Sequence, residues 1–357
     1  MPKSCAPLLA FGLVGLLAWP HAHQDPDDLT GFLHDELGFD SGEIENLQGG
    51  DAIARALDER SDERQVTLAG AIRLRTSRDE LKRRFEAIAD FVRGETTPEA
   101  GRLGRRPKLD DLHALTLPED DLESLADCQV GECEVKLPAA DIQGFRARAN
   151  SNGSGAEARK LFLEMLIRDA RAYLKRGSAA LPVYADKPEP LSVAGGLDTL
   201  LQGMPYLRRF APEFGDHLAG FPHRRLAGAD DFLYWAKETF GLKPVVALNH
   251  ASIYAPASDP RRLLMATAQI YATHYFQGGL RLIVLVQDAD ARGDAGPAAD
   301  AAGADEPNAT LLYLESWRFD GPLGGIQRHL LTGRLEGDLR KRLSGIRDAL
   351  ERDDGSG

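Results

Sequence analysis

The chain has 357 residues, enough for one large domain or two small ones, and a chain of this size buries about 75% of its unfolded surface, so disulfides are not needed to hold it together. Its 55 acidic side chains against 43 basic ones give a formal net charge of -12. That balance argues against a nucleic-acid backbone as partner and would repel anionic membrane surfaces.

Residues 1–24 read as a segment apart from the fold. Lys3 supplies a small positive start and Ala6–Trp19 is an uncharged run rich in leucine. At about fourteen residues it is too short for a relaxed membrane span, which needs about twenty, and has the length of a secretory core. A signal peptide and an exported protein, periplasmic or extracellular, with no membrane span in the mature chain, are therefore predicted. An uncleaved anchor is the alternative, because Ala18 and Ala22 have poor cleavage neighbours and Pro20 intrudes. Cys5 precedes the apolar run, which speaks against a lipid-modified cysteine.

The remainder, 25–357, is read as a single domain. Leu29, Phe32, Leu33 and Leu37, then Ile44 and Leu47, predict two short helices broken at Gly38–Asp40, with Asp40 or Ser41 capping the second. Ala52–Leu57 and Val66–Leu74 alternate as a strand pair. Ser77 with Glu80 three residues later opens a helix carrying Leu81, Phe85, Ile88 and Val92. From Gly94 to Lys108 no apolar period is present, and an exposed loop is expected. Cys128 and Cys133 stand five positions apart around a glycine, well placed for a local disulfide in an exported chain, with two free buried thiols as the alternative. Zinc would need two more ligands and covalent haem a tighter spacing, so no metal and no cofactor is assigned.

The stretch 94–230 is otherwise mainly helical. A strong amphipathic helix carries Leu161 to Leu174 and ends at Gly177, short helical pieces follow, and Phe232–Phe240 is read as a helix capped by Asp230 or Asp231 and stopped by Gly241. Four strands are then predicted at Val245–Tyr254, Leu264–Phe276, Leu280–Gln287 and Ala309–Phe319. The Ala, Asp, Gly and Pro composition of 288–308 predicts a disordered hairpin tip between the last two. Gln277–Gly279 fits a tight hairpin loop that pairs Phe276 with Leu280. After Gly321-Pro322, Leu323, Ile326, Leu330, Leu335, Leu339, Leu343, Ile346 and Leu350 recur at helical spacing, which predicts a long core-facing helix. The fold class is α+β, a curved antiparallel sheet gripped by a long C-terminal helix, with a large helical insertion.

The early strand pair and helix, Gln65–Thr76 running into Ser77–Val92, and the late block Lys243–Leu350 together resemble the helix-grip fold of the START/polyketide-cyclase superfamily. Segments such as Phe232–Lys237 and Ile270–Phe276 also resemble an uncharacterised family of exported bacterial proteins. The first resemblance implies a cavity between sheet and terminal helix for a hydrophobic or amphipathic small molecule or a lipid. Its expected lining is His274, Ile270, Ala272, Phe276, Leu282 and Val284 from the strands and Leu339 and Leu343 from the helix, with His274 as either a polar anchor or a bonded core histidine. A cyclase- or hydrolase-like enzyme using the same cavity, or a non-catalytic envelope interaction protein, are the alternatives. No Gly-x-Ser-x-Gly, phosphate-binding loop, dinucleotide or zinc-protease motif is present. His250, Ser252 and Tyr254 share a strand face and read as exposed polar surface, and Asp110-Asp111 and Asp120-Asp121 as solvated charge.

Overall fold

The computed structural model describes residues 29–57, 62–149, 155–239, 243–288 and 308–353. The predicted leader, the helix stop at Phe240-Gly241 and nearly all of the 288–308 insertion lie outside them. The fold is α+β. Among the described residues ten strands run in chain order: β1 Ile53–Leu57, β2 Gln65–Leu74, β3 Glu99–Arg102, β4 Val183–Tyr184, β5 Leu191–Ser192, β6 Ala229–Glu238, β7 Val245–Tyr254, β8 Arg262–Ala272, β9 Phe276–Gln287 and β10 Ala309–Phe319. Eight form one antiparallel sheet in the order β1-β2-β10-β9-β8-β7-β6-β3, and β4 pairs with β5 separately.

Both faces of this sheet are covered, which is why its strands are apolar almost without interruption. On β9, Leu280, Leu282 and Val284 point to one face and Ile283 and Leu285 to the other. The first face packs against the helices of 29–48 and against Val193–Gly203, Pro205–Phe210 and Pro212–Gly220. Further along the same layer the helix Gly155–Arg176 covers Leu233, Trp235, Val246 and Leu248. The second face carries the helix pair Arg78–Glu86 and Ile88–Val92 and the terminal helix Gly325–Asp353. Leu339 and Leu343 of that helix are buried against Gly70 of β2, where an added Cβ would come within 3.0 Å of both side chains. Each leucine contributes about 1.5–3 kcal/mol by burial.

Local signals are met where they were chemical. Asp40 caps Ser41–Gln48 in a full capping box, and the Ser77 side chain accepts from the Glu80 amide. Three expectations are corrected. Residues 229–238 form strand β6, not a helix: Phe232, Tyr234 and Ala236 pack on one face and Leu233 and Trp235 on the other, so both sides look apolar to any period. The supposed loop 94–108 contributes the edge strand β3, whose four residues are too few to show alternation. Gly278 and Gly279 sit inside β9; the β8–β9 turn falls four residues earlier, at Thr273–Tyr275, with Tyr275 at φ 60°. Gly279 is glycine for contact, since a Cβ there would lie 2.3 Å from the Trp317 ring.

Cys128 and Cys133 are joined in a disulfide, with their Cα atoms 4.6 Å apart. The enclosed turn is pinned from outside, its Gly131 amide donating to the Ala185 carbonyl at 2.7 Å and the Cys133 amide to Asp186 at 3.0 Å. Non-reduced peptide mapping is expected to recover one cross-linked peptide. Reduction should cost stability at the low end of a roughly 0–5 kcal/mol range, because so short a loop restrains little unfolded chain. Two alkylatable thiols in the unreduced protein would refute the bond.

Candidate functional site

The terminal helix is fixed along one side of the second sheet face by its own basic residues. Arg328 donates to the Gln65 carbonyl at 2.7 Å, Arg340 to Ala54 at 2.6 Å and Arg347 to Gly50 at 2.5 Å, while Glu336 accepts from the Ala56 amide at 2.7 Å. The helix pair 78–92 and the segment Arg93–Thr97 stand opposite. Between them lies a cleft of about 1110 Å³ whose floor is Thr267, Arg281, Ile283 and Tyr313. Phe85, Phe91, Val92, Ile346 and Leu350 give apolar walls, and Arg84, Arg93, Arg334, Lys341 and Arg342 outnumber Asp90, Glu95 and Asp338 around them. Large, mostly apolar clefts with a few convergent polar groups are the usual form of small-molecule sites.

The floor is charged. Arg281 Nε lies 3.3 Å and Arg342 Nη1 3.2 Å from the same oxygen, Glu315 Oε2, and Arg342 also donates to the Tyr313 hydroxyl at 2.8 Å. Burial works against the Arg281 charge, but Tyr313 and Glu315 outweigh it and hold the guanidinium above its ordinary value. Burial pushes the Glu238 carboxyl up, and the Tyr234 hydroxyl up to about 12. Among the described residues, the buried atoms Glu238 Oε2, Asn249 Nδ2, Gln269 Nε2 and Gln269 Oε1 have no hydrogen-bond partner.

The residues expected to line the cavity are not gathered there. Leu282 and Val284 share a face with Ala266 and Ala268, and helix 193–203 and its neighbours cover that face. Ile270 is the extra residue of a bulge opposite Leu248 and Asn249, and it packs with Tyr271 in the layer under helix 155–176. Ala272 and Phe276 cluster with Val245 and Trp317. Leu339 and Leu343 are on the terminal helix but are spent on β2. From β8 the cleft floor takes Thr267, on the strand face opposite Ala266 and Ala268. Its signal was the presence of polar residues inside strands otherwise apolar on both faces.

His274 lies in the β8–β9 turn. Its Nδ1 faces the Glu134 carbonyl at 3.1 Å and its Nε2 faces both Asp121 oxygens at 3.0 and 3.1 Å. Histidine and aspartate are 4% and 5% exposed, so Asp121 is not solvated charge but the clasp between helix Glu119–Asp127 and the sheet. His274→Phe is expected to lower the melting temperature and leave cleft binding unchanged; weakened binding in a variant as stable as the parent would contradict this placement.

His250 is likewise buried, and its acid comes from the neighbouring strand. Asp231 Oδ1 accepts from His250 Nε2 at 3.0 Å and from His217 Nε2 at 3.1 Å. His217 Nδ1 faces the Arg224 carbonyl at 2.7 Å, and the Tyr173 hydroxyl lies 3.0 Å from His250 Nδ1. Burial raises Asp231, but the two histidine hydrogen bonds outweigh it and hold the carboxyl well below its ordinary range. Burial lowers His217, yet Asp231 and the Arg224 carbonyl leave it raised. Tyr173, pushed up by burial and by Asp231, keeps its proton for His250. This array locks helices 155–176 and 212–220 to β6 and β7.

Comparison of the chain with protein-family models, with curated proteins and with solved structures finds no match. Among the described residues, no group of three or more His, Cys, Asp or Glu side chains could hold a metal ion, and no helix is long and apolar enough to cross a membrane.

Proposed function

We propose that the protein is an exported binding protein that holds a hydrophobic or amphipathic small molecule in the cleft between sheet and terminal helix. The observation that carries this reading is the cleft itself: about 1110 Å³ between well-anchored elements, its apolar wall residues Phe85, Phe91, Val92, Ile346 and Leu350 rimmed by an excess of basic side chains. The position of the cleft under a long C-terminal helix also supports a relationship to the helix-grip START/polyketide-cyclase superfamily, in which the fold alone does not choose between binding and catalysis. Native mass spectrometry of the purified chain tests the reading. A co-purifying small molecule released on denaturation supports it, and a bare polypeptide after gentle extraction and lipid add-back opposes it.

Export rests on Lys3 and the apolar run Ala6–Trp19. Intact-mass measurement of protein recovered from the cell envelope is expected to place the mature start between Trp19 and Asp25. A full-length cytosolic species would sink the export half of the proposal while leaving the cleft untouched.

A further inference from the structure

We propose that Glu238, Asn249 and Gln269, together with Arg281, form a head-group subsite on the cleft floor that takes the carboxylate of an amphipathic monocarboxylic acid. The inference rests on the binding reading above and names the chemistry of its ligand. Gln269 stands two residues beyond Thr267 on the same face of β8, and Asn249 of β7 is its direct cross-strand partner. Thr267, Arg281 and Thr239, the last adjacent to Glu238, all line the cleft and so bracket the group.

Two independent observations point to a guest. The first is the set of sealed, partnerless atoms: Glu238, Asn249 and Gln269 are 7%, 4% and 3% exposed, yet among the described residues four of their side-chain atoms make no hydrogen bond. Folded proteins satisfy nearly all buried polar groups, and a cluster on one sheet face beside a cleft is what a bound polar group would complete. The second is charge. Arg281 and Arg342 converge on the single carboxylate of Glu315, at 3.3 and 3.2 Å, and burial raises the Glu238 carboxyl above its ordinary value. A carboxylate accepts from Asn249 Nδ2, Gln269 Nε2 and the Arg281 guanidinium, and sets a further negative charge beside the two arginines. Its alkyl chain then lies along Phe85, Phe91, Ile346 and Leu350.

The test is isothermal titration of the full chain with dodecanoate, dodecanol and methyl dodecanoate. Dodecanoate is expected to bind at least about tenfold tighter than either neutral analogue, the worth of one hydrogen bond to a charged group. Gln269→Leu and Asn249→Leu should each erase most of that preference while melting at or above the parent's temperature, because each replaces a buried partnerless amide with an apolar group. Equal affinities for the three ligands in the parent would overturn the head-group assignment and leave the cleft reading standing. Binding of none would overturn both. A preference undiminished in either folded variant would remove these residues from the site, and if neither variant folds, the three-ligand comparison in the parent decides.

Discussion

Asp231→Ala is expected to destabilise the fold by about 3–5 kcal/mol, the range for removing one partner from a buried charge pair. Asp231 is the shared acceptor for His217 and His250, whose side chains are 3% and 1% exposed, so its loss leaves two buried imidazoles without their carboxylate. The pH dependence has a definite sign. Because His217 is raised in the folded state, its contribution is fully present below about pH 6.5 and is lost as pH rises through its raised folded value. Because Asp231 is depressed, its contribution is present above about pH 4 and is lost as pH falls toward its folded value. The gap between parent and variant in urea unfolding should therefore be widest between about pH 4 and 6.5 and narrow above it. A gap below about 1 kcal/mol, or one that widens steadily toward pH 9, would be inconsistent with this array.

Gly177→Ala is the second large effect. Gly177 ends helix 155–176 at φ +59°, where a Cβ would fall 1.8 Å from the Phe221 carbonyl oxygen. Left-handed strain costs a non-glycine residue about 1–2 kcal/mol and overpacking a further 1–3 kcal/mol, so a loss of about 3 kcal/mol is expected. The clash is with backbone, which cannot rotate away, and Phe221 is itself in use: its ring lies 5.4 Å from Tyr173 and 4.2 Å from His250. Gly144→Ala is the control. Gly144 is exposed within helix Ala139–Ala149 and its Cβ would meet nothing within 4 Å, so that change should be neutral or add up to about 1 kcal/mol. Equal melting temperatures for the two variants would contradict the placement of Gly177.

Where one residue's chemistry decides local structure, the sequence was legible. Asp40, Ser77 and Gly177 mark helix ends, and β7 and β10 match their expected bounds to the residue, because alternation and turn residues frame them. The terminal helix was legible from its leucine spacing, although Leu330 in that stripe is 69% exposed and not in the core. Which face the helix covers was not legible. Leu282 and Ile283 are equally buried on opposite faces, and residue type cannot say which layer lies above each. The bulge at Ile270 and the early turn at Tyr275 compounded the error, since a bulge flips alternation with no mark in the sequence. His274 drew attention as a titratable group among apolar neighbours, but its partner Asp121 lies 153 positions away. Asp231 is nearer to His250 in sequence, 19 positions, and was missed because β6 was taken for a helix.

The central claim is that an amphipathic molecule occupies the cleft under the terminal helix. Photo-cross-linking the full chain with a diazirine-bearing twelve-carbon carboxylate, followed by peptide mapping, tests it directly. Label is expected on the cleft walls, in the peptides spanning 84–97 and 334–350, with competition by unlabelled dodecanoate. Label confined to the opposite layer, on helices 193–220 over Leu282 and Val284, or label that dodecanoate does not displace, would contradict it.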